Sequence, residues 1–100
     1  MRMDRNHVIA TLMAHRDELQ RQGVAHASLF GSVARREARA GSDIDILIDL
    51  DPSARLSAYD YWALKEYIAD LFEGPVDVVN RHALKPYLRS SVLADVIDAF

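Results

Sequence analysis

Between residues 43 and 50 the chain alternates with a period of two, placing Ile44, Ile46, Ile48 and Leu50 on one face and Asp43, Asp45, Leu47 and Asp49 on the other. That alternation predicts a half-buried strand. Residues 4–22 follow a helical period instead: Val8, Ile9, Leu12 and Leu19 recur at helical spacing with Arg16, Glu18 and Arg21 between them, and Gly23 stands where a helix C-cap is expected. One amphipathic helix is predicted there. The run VAHASLF, residues 24–30, predicts a short buried strand that stops at Gly31-Ser32. After the loop DPSARLS, a stripe of Tyr61, Leu64, Ile68, Leu71 and Phe72 predicts a helix from about residue 58 to 72, ended by Gly74-Pro75. VDVVN, residues 76–80, predicts a third strand, and RHALKPYLRSSVLADVIDAF predicts one or two helical turns around Pro86, a helix, and a tail without assigned structure.

The order helix, strand, short helical loop, strand, helix, strand, helix predicts an α/β (α+β) fold with helices packed on a small mixed sheet. A full helix joins the second and third strands, so these should be parallel and start at the same edge. The first and second are separated by a short connection and should be antiparallel neighbours. Three features then converge at one edge: the Gly31-Ser32 turn ending the first strand, Asp43 and Asp45 opening the second, and Asp77 near the start of the third.

Length narrows the function. One hundred residues predict a single domain over 1–100, able to bury roughly two-thirds of its unfolded surface but too small to enclose two substrates between lobes. Half the residues are apolar and none is cysteine, which excludes a disulfide framework, a thiolate zinc site and a cysteine nucleophile, and predicts a reducing cytoplasm. The N-terminal stretch breaks its apolar positions with charges within a few residues, unlike a signal peptide or a membrane span. A net charge of -3 argues against direct nucleic-acid binding, which needs a surplus of Lys and Arg facing phosphate.

The charges that matter are local. Asp43 and Asp45, two apart on a strand, share a face with Cα atoms about 6.5–7 Å apart, and their repulsion is most easily relieved by a cation. Oxygen-only ligands suit Mg²⁺ or Mn²⁺. Asp77 on the adjoining strand would permit two metals about 3.5–4 Å apart, the arrangement used for in-line displacement at phosphorus, or could accept a proton from an attacking hydroxyl. Gly31-Ser32 offers backbone N–H groups and a hydroxyl to phosphate oxygens, and Arg35, Arg36 and Arg39 place positive charge within a few residues of that turn. Taken singly, each feature has a plainer reading: an edge device, a turn, a wet helical face. Their joint spacing is what favours chemistry.

That spacing carries a family resemblance. LFGSVARREARAGSDIDILIDL resembles the signature of the minimal nucleotidyltransferases (MNT) of the polymerase-β superfamily: Gly-Ser, ten residues, Asp-x-Asp, with a third Asp supplied by PVDVVN. The leading helix and the closing LKPYLRSSVLADVI are also similar to the family's ends. The resemblance implies a palm-like nucleotidyltransferase fold in which Asp43 and Asp45 hold the Mg²⁺ that bridges the phosphates of ATP. Asp77 would complete the metal site or activate the acceptor, and Gly31 and Ser32 would grip the triphosphate; Arg35 and Arg36 are nucleotide-binding candidates by their charge beside that turn, not by the resemblance. It further implies a HEPN-domain toxin as partner, silenced by AMP transfer to a tyrosine, and hence a hetero-oligomer, with a homo-oligomer as the other option. One departure stands out: Arg36 occupies a position where the family often has Gly, and a side chain there would crowd the loop if the backbone needs φ > 0.

Elsewhere the sequence is less informative. His7, His15, His26 and His82 are scattered without ligand spacing and receive no role. Tyr59, Tyr61, Trp62 and Tyr67 crowd one helix; either Tyr61 joins the core with the rest half exposed, or Trp62 and its neighbours form a partner surface. Asp49 and Asp51 are expected to be solvated. Two rivals to AMP transfer onto a toxin remain: a non-catalytic antitoxin acting by contact, and nucleotidyl transfer to RNA or a small molecule.

Overall fold

The computed structural model describes residues 4–39 and 42–100. Residues 1–3 of the N-terminal stretch and residues 40–41 of the Gly-Ser to Asp-x-Asp connection lie outside them. The first expected helix is two. Helix α1 (Arg5–Ala14) starts at Asp4, whose carboxylate accepts from the His7 backbone N–H at 2.8 Å, satisfying one of the donors a helix start leaves open. His15 ends it: its N–H is shared between the Thr11 and Leu12 carbonyls, and its ring Nδ1 donates to the Thr11 carbonyl at 2.9 Å. Helix α2 (Arg16–Arg21) then resumes. Gly23, at φ 103, turns the chain out of it. Val8, Leu12 and Leu19 nevertheless all reach the core, so the hydrophobic spacing holds across the break.

Strand β1 (Val24–Phe30), the short helix α3 (Gly31–Ala34), strand β2 (Ile44–Leu50), helix α4 (Ala58–Asp70) and strand β3 (Val76–Asn80) follow the expected order. Asp43 precedes β2 rather than opening it, and α4 stops two residues before Phe72. Ser57 begins α4 through a reciprocal capping box with Asp60, each side chain bonding the other's backbone N–H at 3.0 and 3.1 Å. A 3₁₀ turn (Arg81–Ala83) and helix α5 (Pro86–Ala94), with Pro86 in its first turn, lead to a two-residue strand β4 (Ile97–Asp98). The tail left unassigned from sequence is thus an edge strand.

The sheet has the order β3-β2-β1-β4. β2 and β3 are parallel, while β1 pairs antiparallel with both β2 and β4. Both pairing directions expected for the first three strands are observed. Ile44, Ile46, Ile48 and Leu29 face a core completed by Val8, Leu12, Leu64 and Ile68, nearly all fully excluded from solvent, and each side chain so buried contributes roughly 1.5–3 kcal/mol. The other sheet face is not simply wet. Leu47 on it is 1% exposed, and beside it the buried Ser28 donates to Asp98 at 2.8 Å, clasping β4 to β1. Among the described residues no helix is long and apolar enough to cross a membrane.

Candidate active site

The polar edge is built by strand register. Asp45 pairs with Phe30 at the end of β1 and with Asp77 on β3. The end of one strand and the beginnings of two others therefore meet around one carboxylate. The Ile44 N–H to Pro75 carbonyl bond, 3.0 Å, ties the openings of β2 and β3 together, and Asp43 lies one residue upstream, exposed to solvent as Asp77 is.

Gly31 is where the turn and the carboxylate touch. Its φ is 76, and a Cβ there would lie 3.1 Å from Asp45 Cγ and 3.3 Å from Asp45 Cβ, and inside contact distance of the Oδ2 oxygen. Glycine is needed for both reasons, backbone conformation and space. Ser32 follows directly in α3, partly exposed beside the site.

The C-terminal end of α3 closes with a complete Schellman pattern: the Arg36 N–H bonds the Val33 carbonyl at 3.1 Å and the Glu37 N–H bonds the Ser32 carbonyl at 2.8 Å. Such a pattern places its penultimate residue in the left-handed region, and Arg36 has φ 62. The backbone position that glycine would suit is therefore occupied by arginine, as the departure at Arg36 anticipated, and the turn is formed all the same. Arg5 Nη1 donates to the Ala34 carbonyl at 3.2 Å, adding a tie from α1.

Electrostatics confirm that the carboxylates act on one another. Burial, then the charge of Asp77, then that of Asp43, push the Asp45 carboxyl above its ordinary pKa, and the Arg35 guanidinium opposes them. Arg35 is itself engaged, by Asp95 at 2.7 Å and Glu37 at 3.1 Å. Neither partner was foreseen, because Asp95 is distant in sequence and nothing in its neighbourhood marks it. Arg36 and Arg39 are exposed, and the Arg39 backbone N–H donates to the Ser42 hydroxyl at 2.9 Å.

Gly31, Asp43, Asp45, Asp77 and Arg35 are thus brought together, with Ser32 adjoining. Among the described residues no three acidic or imidazole side chains are grouped closely enough to hold a metal ion together, so Asp43, Asp45 and Asp77 do not form a three-carboxylate metal site as they stand. An open, oxygen-only set, with Asp45 half-buried at its centre and Asp43 and Asp77 exposed beside it, suits a hard cation that keeps waters and takes only one or two carboxylates beside phosphate oxygens, which is how Mg²⁺ is commonly held. The donor set fits that ion.

Other expectations change. Asp49 is not freely solvated: its side chain is 29% exposed, with Arg81 Nε at 3.8 Å and His82 Nε2 at 3.4 Å. The sheet register carries these residues to the end opposite the carboxylates. Asp51 is exposed and receives the Ser53 N–H and hydroxyl in a loop turn. Of the aromatic residues on α4, Tyr61 and also Tyr67 pack against the core, whereas Tyr59 and Trp62 are exposed and lie 5.9 Å apart.

A turn that seats a carboxylate against backbone and a pair of register-matched acids at a sheet edge define a phosphoryl-transfer class of site. Residues 12–99 match the family profile described as nucleotidyltransferase domain. A protein adenylyltransferase MntA of Thermococcus cleftensis is 38% identical over 87 residues, covering 86% of each chain. A solved structure given provisionally as a minimal nucleotidyltransferase superposes with a TM-score of 0.69 at 35% identity, covering 95% of both chains. The fold also matches the complex of a tri-AMPylated Shewanella oneidensis HEPN toxin with its MNT antitoxin, with a TM-score of 0.62 at 19% identity over 92% of this chain and 71% of that one. This chain belongs to the nucleotidyltransferase domain family and is a nucleotidyltransferase.

Proposed function

We propose that this chain is an antitoxin that transfers the AMP moiety of ATP to a tyrosine hydroxyl of a HEPN-domain toxin and so silences it. The observation that carries the reading is the meeting of Gly31, Asp45 and Asp77 at one sheet edge. In the transfer, the tyrosine oxygen forms a bond to the α-phosphorus, the bond from that phosphorus to the bridging oxygen breaks, and pyrophosphate leaves with the electron pair. Asp77, exposed beside Asp45, would take the hydroxyl proton. Asp43 and Asp45 would hold Mg²⁺, which when bound neutralises charge developing on the phosphate oxygens. Gly31 and Ser32 hold the triphosphate through backbone N–H groups and the serine hydroxyl. The similarity to a protein adenylyltransferase over most of the chain supports a protein acceptor.

The test is incubation of the chain with its co-purifying partner, ATP and Mg²⁺, followed by intact mass measurement. AMP increments on the partner are expected, lost on partner Tyr→Phe exchange and on Asp45→Asn. No increment, or an undiminished one with Asp45→Asn, refutes the proposal. The exposed Tyr59–Trp62 pair favours one rival, neutralisation by contact alone. That rival requires protection of cells to survive Asp43→Ala with Asp45→Ala and to fail with Trp62→Ala.

A further inference from the structure

We propose that Asp95 is a positioning residue for nucleotide binding: together with Glu37 it fixes the Arg35 guanidinium beside the carboxylate cluster, leaving Nη2 for an oxygen of the triphosphate. The inference rests on the nucleotidyl-transfer reading of the site and adds to it a residue from a distant part of the chain.

Arg35 caps α3 immediately after the Gly31-Ser32 turn. Its Nη1 donates to Asp95 at 2.7 Å and its Nε to Glu37 at 3.1 Å. A guanidinium presents five donors in one plane. Two carboxylates on different atoms of that plane fix its orientation, and among the described residues Nη2 makes no hydrogen bond. Arg35 closes the short helix α3 that opens at Gly31, and the Gly31 backbone lies against Asp45, so the fixed group stands one helical turn from the cluster that would hold the metal.

The contact with Asp95 spans sixty positions. β4 brings it about: Ile97 pairs with Leu29 and Asp98 with Ser28, which sets Asp95 level with the end of β1, where the turn begins. The other arginine–carboxylate fork, Arg21 with Glu18, is an i,i+3 pair within one helix, and needs no such construction. Arg35 and Asp95 are only partly shielded, at 42% and 26% exposure, and pairs of that kind add little to stability. What the pair supplies is direction. An unrestrained arginine has rotamer entropy that anion binding would have to remove. Asp95 and Glu37 remove it beforehand.

Two carboxylates also offset the charge of Arg35, so the opposite arrangement, in which they withhold it from the nucleotide, makes a contrary prediction. Equilibrium binding of AMP-PNP with Mg²⁺ to the full chain separates the two. Asp95→Ala is expected to weaken binding about three- to tenfold and to raise KM for ATP by a similar factor with kcat within about twofold, because Asp95 touches no reacting atom. Asp95→Asn, which retains an acceptor oxygen, is expected to recover most of the affinity. Arg35→Ala should weaken binding at least as much, and adding Asp95→Ala to it should change nothing further. Asp98→Asn, altering the neighbouring carboxylate that clasps Ser28, should leave affinity as it is. Unchanged or tighter binding by folded Asp95→Ala, or additive losses in the double variant, overturns the proposal. Should Asp95→Ala not fold, Arg35→Lys replaces it, since a single ammonium cannot span both carboxylates as the fork does, and native affinity there is the overturning result. Failure of the wild-type chain to bind AMP-PNP at all would instead remove the nucleotidyl-transfer reading together with this one.

Discussion

Replacing Gly31 with alanine separates what the turn does for folding from what it does for the site. The backbone at φ 76 strains any residue bearing a Cβ by about 1–2 kcal/mol, and the stiffer unfolded chain returns about 0.4–1 kcal/mol. The net loss from conformation alone is therefore about 1 kcal/mol. Gly74 provides the control, because it also has positive φ, at 95, yet a Cβ there would meet nothing within 4 Å. Gly31→Ala and Gly74→Ala should accordingly share a modest loss in urea denaturation. They should differ in chemistry. Only at Gly31 does the new methyl group invade the space of the Asp45 carboxylate, forcing it to move by a substantial part of an ångström. Misplacement on that scale can lower a rate about a hundredfold, so AMP transfer by Gly31→Ala should fall by about that factor, while Gly74→Ala stays near the native rate. Native transfer by a folded Gly31→Ala, or an equal loss in both variants, would refute the claim that glycine is required there to seat Asp45.

Arg36→Gly should leave the Schellman turn in place and raise stability by up to about 1 kcal/mol, the left-handed strain relieved less the extra freedom of glycine in the unfolded chain; calorimetry reads this as a higher Tm, and an unchanged or lower Tm refutes it. Asp45 titrates in the sense opposite to a salt-bridged acid: with its carboxyl held above the ordinary pKa by burial and by Asp77 and Asp43, its charge opposes folding at neutral pH. That opposition should lift as pH falls through the raised pKa. Metal-free Asp45→Asn should consequently be more stable than the native chain at neutral pH, with the difference shrinking in acid and reversed by Mg²⁺, as followed by thermal melts across pH. At the far end of the sheet, Arg81 Nε is buried without a hydrogen bond, with the Asp49 carboxylate 3.8 Å away, so Asp49→Ala should cost about 1 kcal/mol without altering the rate of transfer; loss of transfer at native stability would place Asp49 in the site.

What could be read from sequence divides by distance along the chain. Gly31, Asp43 and Asp45 were legible because one turn and one strand fix their spacing, and Asp77 because a connecting helix implies a parallel strand starting at the same edge. At Arg36 only the family resemblance raised the question of a positive φ, because arginine itself has no preference for the left-handed region that the turn imposes. The break at His15 was not legible, because a helix with its apolar period intact gives no sign of a carbonyl captured by a side chain. Nor was β4: two residues carry no period, and they become a strand only through the β1 edge and the Ser28–Asp98 bond. Asp49 was misread because its partners, Arg81 and His82, reach it through the parallel register of β2 and β3, and Asp95 was missed for the same kind of reason.

The mixed sheet also sets the order in which the site can come into being. β1 and β2 form a hairpin-like pair that brings Gly31 to Asp45 from residues close in sequence, but Asp77 joins only after α4 has crossed over and β3 has docked. Parallel pairing of this kind closes a long loop before any contact rewards it. A nascent chain that has not yet displayed residue 80 can therefore own the Gly31-Ser32 turn and the Asp-x-Asp pair without the third carboxylate beside them. The third carboxylate therefore arrives only with this long-range step of folding, so a stopped-flow probe of Mg²⁺ binding should report no phase faster than the docking of β3.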